Sequence, residues 1–504
     1  MITVIPSDFT MRLRIQYFAL VVLMPTAFHV CAAVLYVDLN NPSPIPPYTN
    51  WLTAATNIQD AIDAASPGDQ VLVTNGVYQS GQRLGGGDST ANRVAITQVV
   101  TVQSVNGPAA TVIEGHQVPG TTNGLGAVRC VYLINGAALI GFTLTNGATA
   151  SIGSGGGVSF QTLFHTTSFM SNCVIAGNSA DVSGGGVAGG GNVINCVISH
   201  NWARQEAGGA GGAVLVGCLV SGNSAGILGG GSVQGVLTNC VLASNSAGTS
   251  GGASYGDKLY NCTITGNSVT GTNLVYSGGG VANASIVANC VVYSNTAPQQ
   301  PNYYDSSPMV YSCTTPLSPG AGNITNPPLF VAPANGDYHL QANSPCINAG
   351  NNAYAHNNLD VDGNSRVVGG SVDMGAYEFQ NPTSTISYAW LQWYGLPTDG
   401  SADSTDPDGD GMNNWQEWRC GTDPTNTLSV LKMLAPSNSV SGVSVRWESV
   451  PGISYFLQRS TSASAPVGFL TIISSIAGQV GTTGYLDTNA NTGSRYFYRV
   501  GLQP

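Results

Sequence analysis

Six copies of one seven-residue phrase constrain this chain more than anything else in it. The phrase reads Asn172-Cys173-Val174-Ile175-Ala176-Gly177-Asn178, then Asn195-Cys196-Val197-Ile198-Ser199-His200-Asn201, and it recurs from Gly217-Cys218, Asn239-Cys240, Asn261-Cys262 and Asn289-Cys290. Successive cysteines lie 23, 22, 22, 22 and 28 residues apart. A fixed period of this length marks a solenoid. Runs such as Cys173-Val174-Ile175 are too short and too β-branched for helices. A strand that returns every ~22 residues lands one layer along, which gives a parallel β-helix.

In such a coil each strand pairs with its copies about 4.8 Å above and below, so equivalent positions stack. Alternation along the strand then points Cys173, Cys196, Cys218, Cys240, Cys262 and Cys290 inward, together with the Ile, Val or Leu two residues on. Phe142 is expected to hold the cysteine slot before the ladder and Cys313 after it. A second ladder runs through Asn178, Asn201, Asn223, Asn245, Asn267 and Asn295, where the coil must turn. Asn tolerates left-handed backbone, and stacked amides bond one another. Glycine runs such as Ser154-Gly155-Gly156-Gly157 and Ser183-Gly184-Gly185-Gly186 mark the other corner, supplying positive φ and close backbone approach. This pairing of Gly-Gly-x-Val with an Asn after a strand resembles the parallel β-helix repeats of bacterial surface and autotransporter-type proteins.

Only 8% of residues are charged, the formal net charge is −11, and Lys258 and Lys432 are the only lysines. Nothing here resembles a phosphate-neutralising patch, which disfavours nucleic-acid binding. Residues 1–33 read as a secretory signal: Arg12 and Arg14, an apolar run from Tyr17 to Met24, then Cys31-Ala32-Ala33 as a small-residue cleavage site. No later stretch is long and apolar enough for a transmembrane segment. The mature protein is thus expected to be secreted or held at the cell surface, as a monomer. Six of its ten cysteines share one stacked position, where parallel Cβ vectors disfavour disulfides, so they read as buried free thiols.

The β-helix is expected over residues 34–380, with an N-terminal helix cap (34–70) and a C-terminal cap (320–380). Thr56 and Gln59 have capping-box spacing, and Ile58, Ala61, Ile62 and Ala65 form one apolar helix face. Ile58-Gln59-Asp60-Ala61-Ile62 through Pro67-Gly68-Asp69 to Gly76-Val77-Tyr78 resembles the start of pectate-lyase-like right-handed β-helix proteins. Asp360-Val361-Asp362-Gly363-Asn364-Ser365-Arg366 and Asp373-Met374-Gly375-Ala376-Tyr377-Glu378-Phe379 resemble the terminal region of secreted bacterial β-helix proteins of the choice-of-anchor type. Asp360, Asp362, Arg366, Asp373 and Glu378 read as an ion-paired cap stitching the last coil. The lyase-like family includes lyases and hydrolases, but fold alone does not confer activity. Between Val131 and Ala297 the charged residues are Asp181, Arg204, Glu206, Asp257 and Lys258. Asp257 and Lys258 read as a solvated loop, and His165 as a turn residue. Arg204 and Glu206, near His200, form the weak catalytic candidate.

Residues 381–427 form a separate module. A short aromatic helix from Ser387 to Tyr394 precedes Asp406-Pro407-Asp408-Gly409-Asp410-Gly411-Met412-Asn413-Asn414-Trp415-Gln416-Glu417. That segment fits D-x-[DN]-x-[DN]-G-x5-E at every fixed position. The spacing aims Asp406, Asp408, Asp410, the Met412 carbonyl, Asn414 through water, and bidentate Glu417 at one Ca2+ ion. The segment resembles the EF-hand-like loops of dockerins. Asp399 and Asp403 could support a second loop. Residues 428–504 alternate as a small β-sandwich and resemble fibronectin type III domains through Val443-Ser444-Val445-Arg446-Trp447 and Tyr496-Phe497-Tyr498-Arg499-Val500. The whole reads as all-β: a right-handed parallel β-helix, a small calcium-binding helical module and a C-terminal β-sandwich. The expected function is a secreted or surface scaffold and adhesion protein, glycan-binding, whose partners are extracellular polysaccharide or other cell-surface components. The alternative is a polysaccharide lyase or glycoside hydrolase.

Overall fold

The computed structural model describes residues 32–85, 88–161, 167–272, 277–304, 307–463, 468–490 and 495–502. The expected signal with Cys31, and His165, therefore lie outside the described residues. The chain winds into a parallel β-helix. One sheet stacks eleven strands from Val34–Val37 to Met309–Val310, and a second stacks ten from Gly76–Tyr78 to Cys313–Thr314. A third holds nine, and a short fourth holds five, from Ser179–Ala180 to Ser268–Val269. In the ten-stranded sheet, Ile175, Ile198, Val220, Leu242, Ile264 and Val292 lie in register and are fully buried.

The cysteine ladder is interior, as expected, and every cysteine among the described residues is a buried free thiol. Phe142 precedes it, donating its N–H to Cys173 Sγ. The slot after Cys290 belongs to Ser312 rather than Cys313: the Cys290 N–H donates to Ser312 Oγ at 3.1 Å, while Cys313 pairs with Val291. Strand register decided this, since position 313 falls one residue further along the strand.

The asparagine ladder is continuous. Asn178 Nδ2 donates to Asn201 Oδ1 at 3.0 Å, Asn201 to Asn223 at 2.9 Å, and so on to Asn295 and Asn302. The left-handed residues are its neighbours, not its members. Gly177, His200, Gly222, Ser244, Gly266 and Ser294 carry positive φ just before each rung, as do Asn172, Asn195, Asn239, Asn261 and Asn289 just before the cysteines. At the opposite corner Gly156 has no room for a side chain, since a Cβ there would lie 2.0 Å from Ser179 O.

Helix α1, Ile58–Ala64, seals the first coil through Ile58, Ala61 and Ile62. Its cap is Asn57, which accepts from the Asp60 N–H, and not the Thr56–Gln59 pair. Gln59 instead bonds both the N–H and the carbonyl of Ala95, which ties the helix to a strand.

The segment from Leu340 to Phe379 does not simply close the end of the stack. It lies along the outer face of the ten-stranded sheet. Leu219 faces outward and is 37% exposed, whereas its in-register successor Val241 is 1% exposed, packed with Ala376 beside Tyr338 and Val361. Val291 is likewise buried, against Leu340, Ile347 and Met374. The left-handed asparagines make the seam: Asn239 Nδ2 donates to Leu359 O, Asn261 to Tyr354 O and Asn289 to Asn351 O.

Helices α2 (Tyr388–Trp393) and α3 (Asn414–Cys420) follow, then two three-stranded antiparallel sheets around Val445, Trp447, Tyr455 and Leu457.

Candidate metal centre

The calcium-type loop runs from Asp406 into α3. Asn413 caps that helix in a reciprocal capping box with Gln416. Its side chain is therefore committed to the helix end. Gly409 and Gly411, at φ +76° and +97°, bend the loop back on itself.

The carboxylates bind the loop's own backbone with one set of oxygens and leave another set bare. Asp406 accepts the N–H groups of Gly409 and Gly411, Asp408 Oδ1 that of Asp410, and Asp410 Oδ1 that of Met412. Asp408 Oδ2 and Asp410 Oδ2 are buried with no donor. Asn414 gives its amide hydrogens to Ala402 O and Thr405 Oγ1, and its Oδ1 has no donor. Glu417 is fully buried, and neither of its oxygens has a donor. Oxygens of Asp406, Asp408 and Asp410 lie within 4.8 Å of one another. Burial first, then repulsion from Asp408, Asp410 and Asp406, pushes the Glu417 carboxyl up to about 7. Five buried acceptors without a hydrogen to accept fit a cation, and an all-oxygen set of this kind suits a hard ion such as Ca2+.

Asp399 and Asp403 build no second loop. Asp403 accepts from Ser384 Oγ and the Thr385 N–H, pinning the preceding linker, and Asp399 accepts from Ser401.

The expected ion-paired cluster downstream of the coils is differently made. Arg366, Asp373 and Glu378 are buried together near Asp360. Asp373 accepts from the Asn348 and Phe379 N–H groups, Glu378 from those of Val368 and Asp373, and Asp360 from those of Asp362, Asn364 and Glu378. Every one of these carboxylate oxygens is occupied by a backbone donor. Arg366 Nη2 donates to the carbonyls of Asp373 and Gly375, while its Nε and Nη1 have no acceptor.

The structure does not assemble the catalytic candidate. Arg204 is held by Asp181, with Nε 2.8 Å from Oδ1, and Asp181 also accepts the Ile152 N–H. Glu206 makes no ion pair among the described residues, and its backbone bridges Ser183 and Leu228. His200 sits at a turn before the buried Asn201 corner, stacked over Gly222. Asp257 is not on a solvated loop. It is fully buried, accepting from Gly235 N and from the hydroxyls of Ser232 and Ser254, and burial pushes its carboxyl up to about 7.

No family model matches the sequence, and no curated protein does either. Among solved structures, the chain is similar to pectate lyase Pel9A at 16% identity, covering 69% of this chain and 96% of that one with a TM-score of 0.42. It is similar to a rhamnogalacturonan lyase at 12% identity, covering 56% and 68% with a TM-score of 0.29. The β-helix itself rests on the strand pairing above. No helix among the described residues is long and apolar enough to cross a membrane.

Proposed function

We propose that this chain is an extracellular β-helix scaffold that engages polysaccharide or another cell-surface component, with a calcium ion fixing the joint before the C-terminal antiparallel sheets. The observation that carries the calcium part of this reading is the set of donorless oxygens on Asp408, Asp410, Asn414 and Glu417. Calcium outside cells is plentiful, and a site with a dissociation constant of about 10⁻⁴–10⁻³ M suffices there. The signal-like residues 1–33 agree with export.

The rival is a lyase or hydrolase on an extracellular polysaccharide. A lyase needs a base and a cation in one cleft, and a hydrolase needs two carboxylates at roughly 5–10 Å. The trough of about 390 Å3 on the nine-stranded sheet offers Asp88, whose Oδ2 is bound 2.6 Å from the buried Arg129 guanidinium. Incubation with pectin, alginate and chondroitin-type polymers separates the two readings. The scaffold should leave chain length unchanged. Cleavage that disappears in Arg204→Ala or Glu206→Gln would replace the scaffold by an enzyme.

A further inference from the structure

A cavity of about 570 Å3 opens where the last coil meets the calcium module. Its volume is in the usual range for small-ligand sites, which gather where structural units meet. One wall is α2 and the residue after it, the other is the end of the coil stack, and α3 contributes Trp418. Hydrogen bonds tie α2 to the segment before it: the Tyr388 N–H donates to Ile347 O, and the Gln392 side-chain Nε2 to Asn343 O at 2.9 Å.

The lining is chemically selective. Tyr311, Trp390, Trp393, Tyr394 and Trp418 supply aromatic faces, and no charged side chain lines it. Trp390 and Tyr394 lie 4.8 Å apart, with planes tilted by 56°. Trp393 is 83% exposed and lies with these other aromatic residues on the cavity lining. Polar groups on the lining are neutral amides and hydroxyls, among them Thr325, Asn326, Ser387 and Thr422. Asn348 also lines it, but its side chain is sealed from solvent, with Nδ2 donating to Ser384 O at 2.8 Å.

An ionic ligand finds no counter-charge here. A purely apolar ligand would leave the rim amides and hydroxyls, such as those of Thr325, Asn326 and Thr422, unpaired. A sugar ring matches both halves, with apolar C–H faces for the indoles and hydroxyls for the rim. We infer that this cavity is a binding site for neutral polysaccharide, a proposal that rests on the polysaccharide-engaging reading above and narrows it to one place and one charge class. Uronate polymers, which need cations, are the class it should refuse.

Affinity electrophoresis of the full chain tests this in native gels containing glucomannan, xyloglucan or mixed-linkage glucan, with polygalacturonate and alginate as acidic counterparts. Neutral polymers should retard the protein, and Trp393→Ala should weaken retardation about tenfold, the scale of one good aromatic contact. Trp393 is so exposed that its replacement leaves the core alone, and an unchanged unfolding temperature verifies this. Trp202→Ala, at an exposed coil position, should retain full retardation. If neutral polymers retard Trp393→Ala as strongly as the parent, the cavity is not the site, although polysaccharide binding stands. Retardation by acidic polymers alone overturns the neutral-glycan assignment. No retardation by any polymer removes both this site and the broader reading.

Discussion

Two acidic clusters in this molecule look alike in sequence and are opposites in structure. Asp360, Asp373 and Glu378 surround Arg366, and all their oxygens have backbone donors; the unmatched atoms are two N–H groups on the cation. Around Asp406–Glu417 the unmatched atoms are all acceptors. The first cluster carries its positive charge inside the chain, and the proposed calcium ion would bring one to the second. Counting carboxylates does not separate a cap from a metal site. Counting what each lone pair receives does.

The largest expected effect comes from removing the internal cation. Arg366→Met should cost about 1–3 kcal/mol in urea denaturation for each of the buried carbonyls of Asp373 and Gly375 that lose their donor, besides removing the cation beside the buried acids. A loss below about 1 kcal/mol would mean that the carboxylates are held by backbone donors alone, and the contrast would weaken.

Removing the external cation should act locally. Chelation should raise protease cleavage between residues 381 and 428 while the coils stay intact, and calorimetry should show uptake of one calcium at millimolar concentration. Absence of uptake would end the metal assignment. Saturation at about 100 times the dissociation constant should add about 2.7 kcal/mol of stability to the unit that binds it.

Glu417→Gln should weaken calcium binding by about tenfold while leaving the fold unchanged, since it removes charge but keeps one oxygen. An unaltered titration would place the ion elsewhere in the loop. Trp418 follows Glu417 directly, so chelation should also weaken retardation by neutral glycan, to a smaller degree than Trp393→Ala.

The last effect is in pH. Burial first, against the pull of its backbone donors and Arg366, pushes Asp373 up to about 7; burial, then repulsion from Asp373, pushes Glu378 up to about 9. Both values lie above those of an unfolded chain, about 4. Their contribution to stability is full below about pH 4 and is lost as pH rises through 7 and 9. Protection factors of the amides over residues 360–378, with the intrinsic base-catalysed rate divided out, should therefore fall from pH 5 to pH 9, and a flat profile would show that Arg366 neutralises the cluster fully.

The coils were legible because their information is periodic. Six copies give the register of Cys173 to Cys290 and of Asn178 to Asn295 without any long-range guess, and the loop from Asp406 to Glu417 is contiguous. Whatever depended on docking was not legible. Nothing local pairs Asn239 with Leu359, 120 residues on. Asp257 reads as a surface charge until Ser232 and the Gly235 N–H on the preceding rung are in place beside the nearby Ser254. The aromatic cavity joins Tyr311 to Trp390 and Trp418, and the sequence shows only that each is aromatic.

The seam between the coils and the returning segment has a consequence for how such a chain can change length. Asn239, Asn261 and Asn289 act as three fixed pegs for Leu359, Tyr354 and Asn351. Rungs downstream of Leu219 are therefore counted: adding or deleting one would misalign every peg. The upstream rungs from Asn172 to Gly217 bear no such footprint, and a whole rung of ~22 residues could be inserted there with its ladders intact. The molecule is a ruler that can be lengthened at one end only.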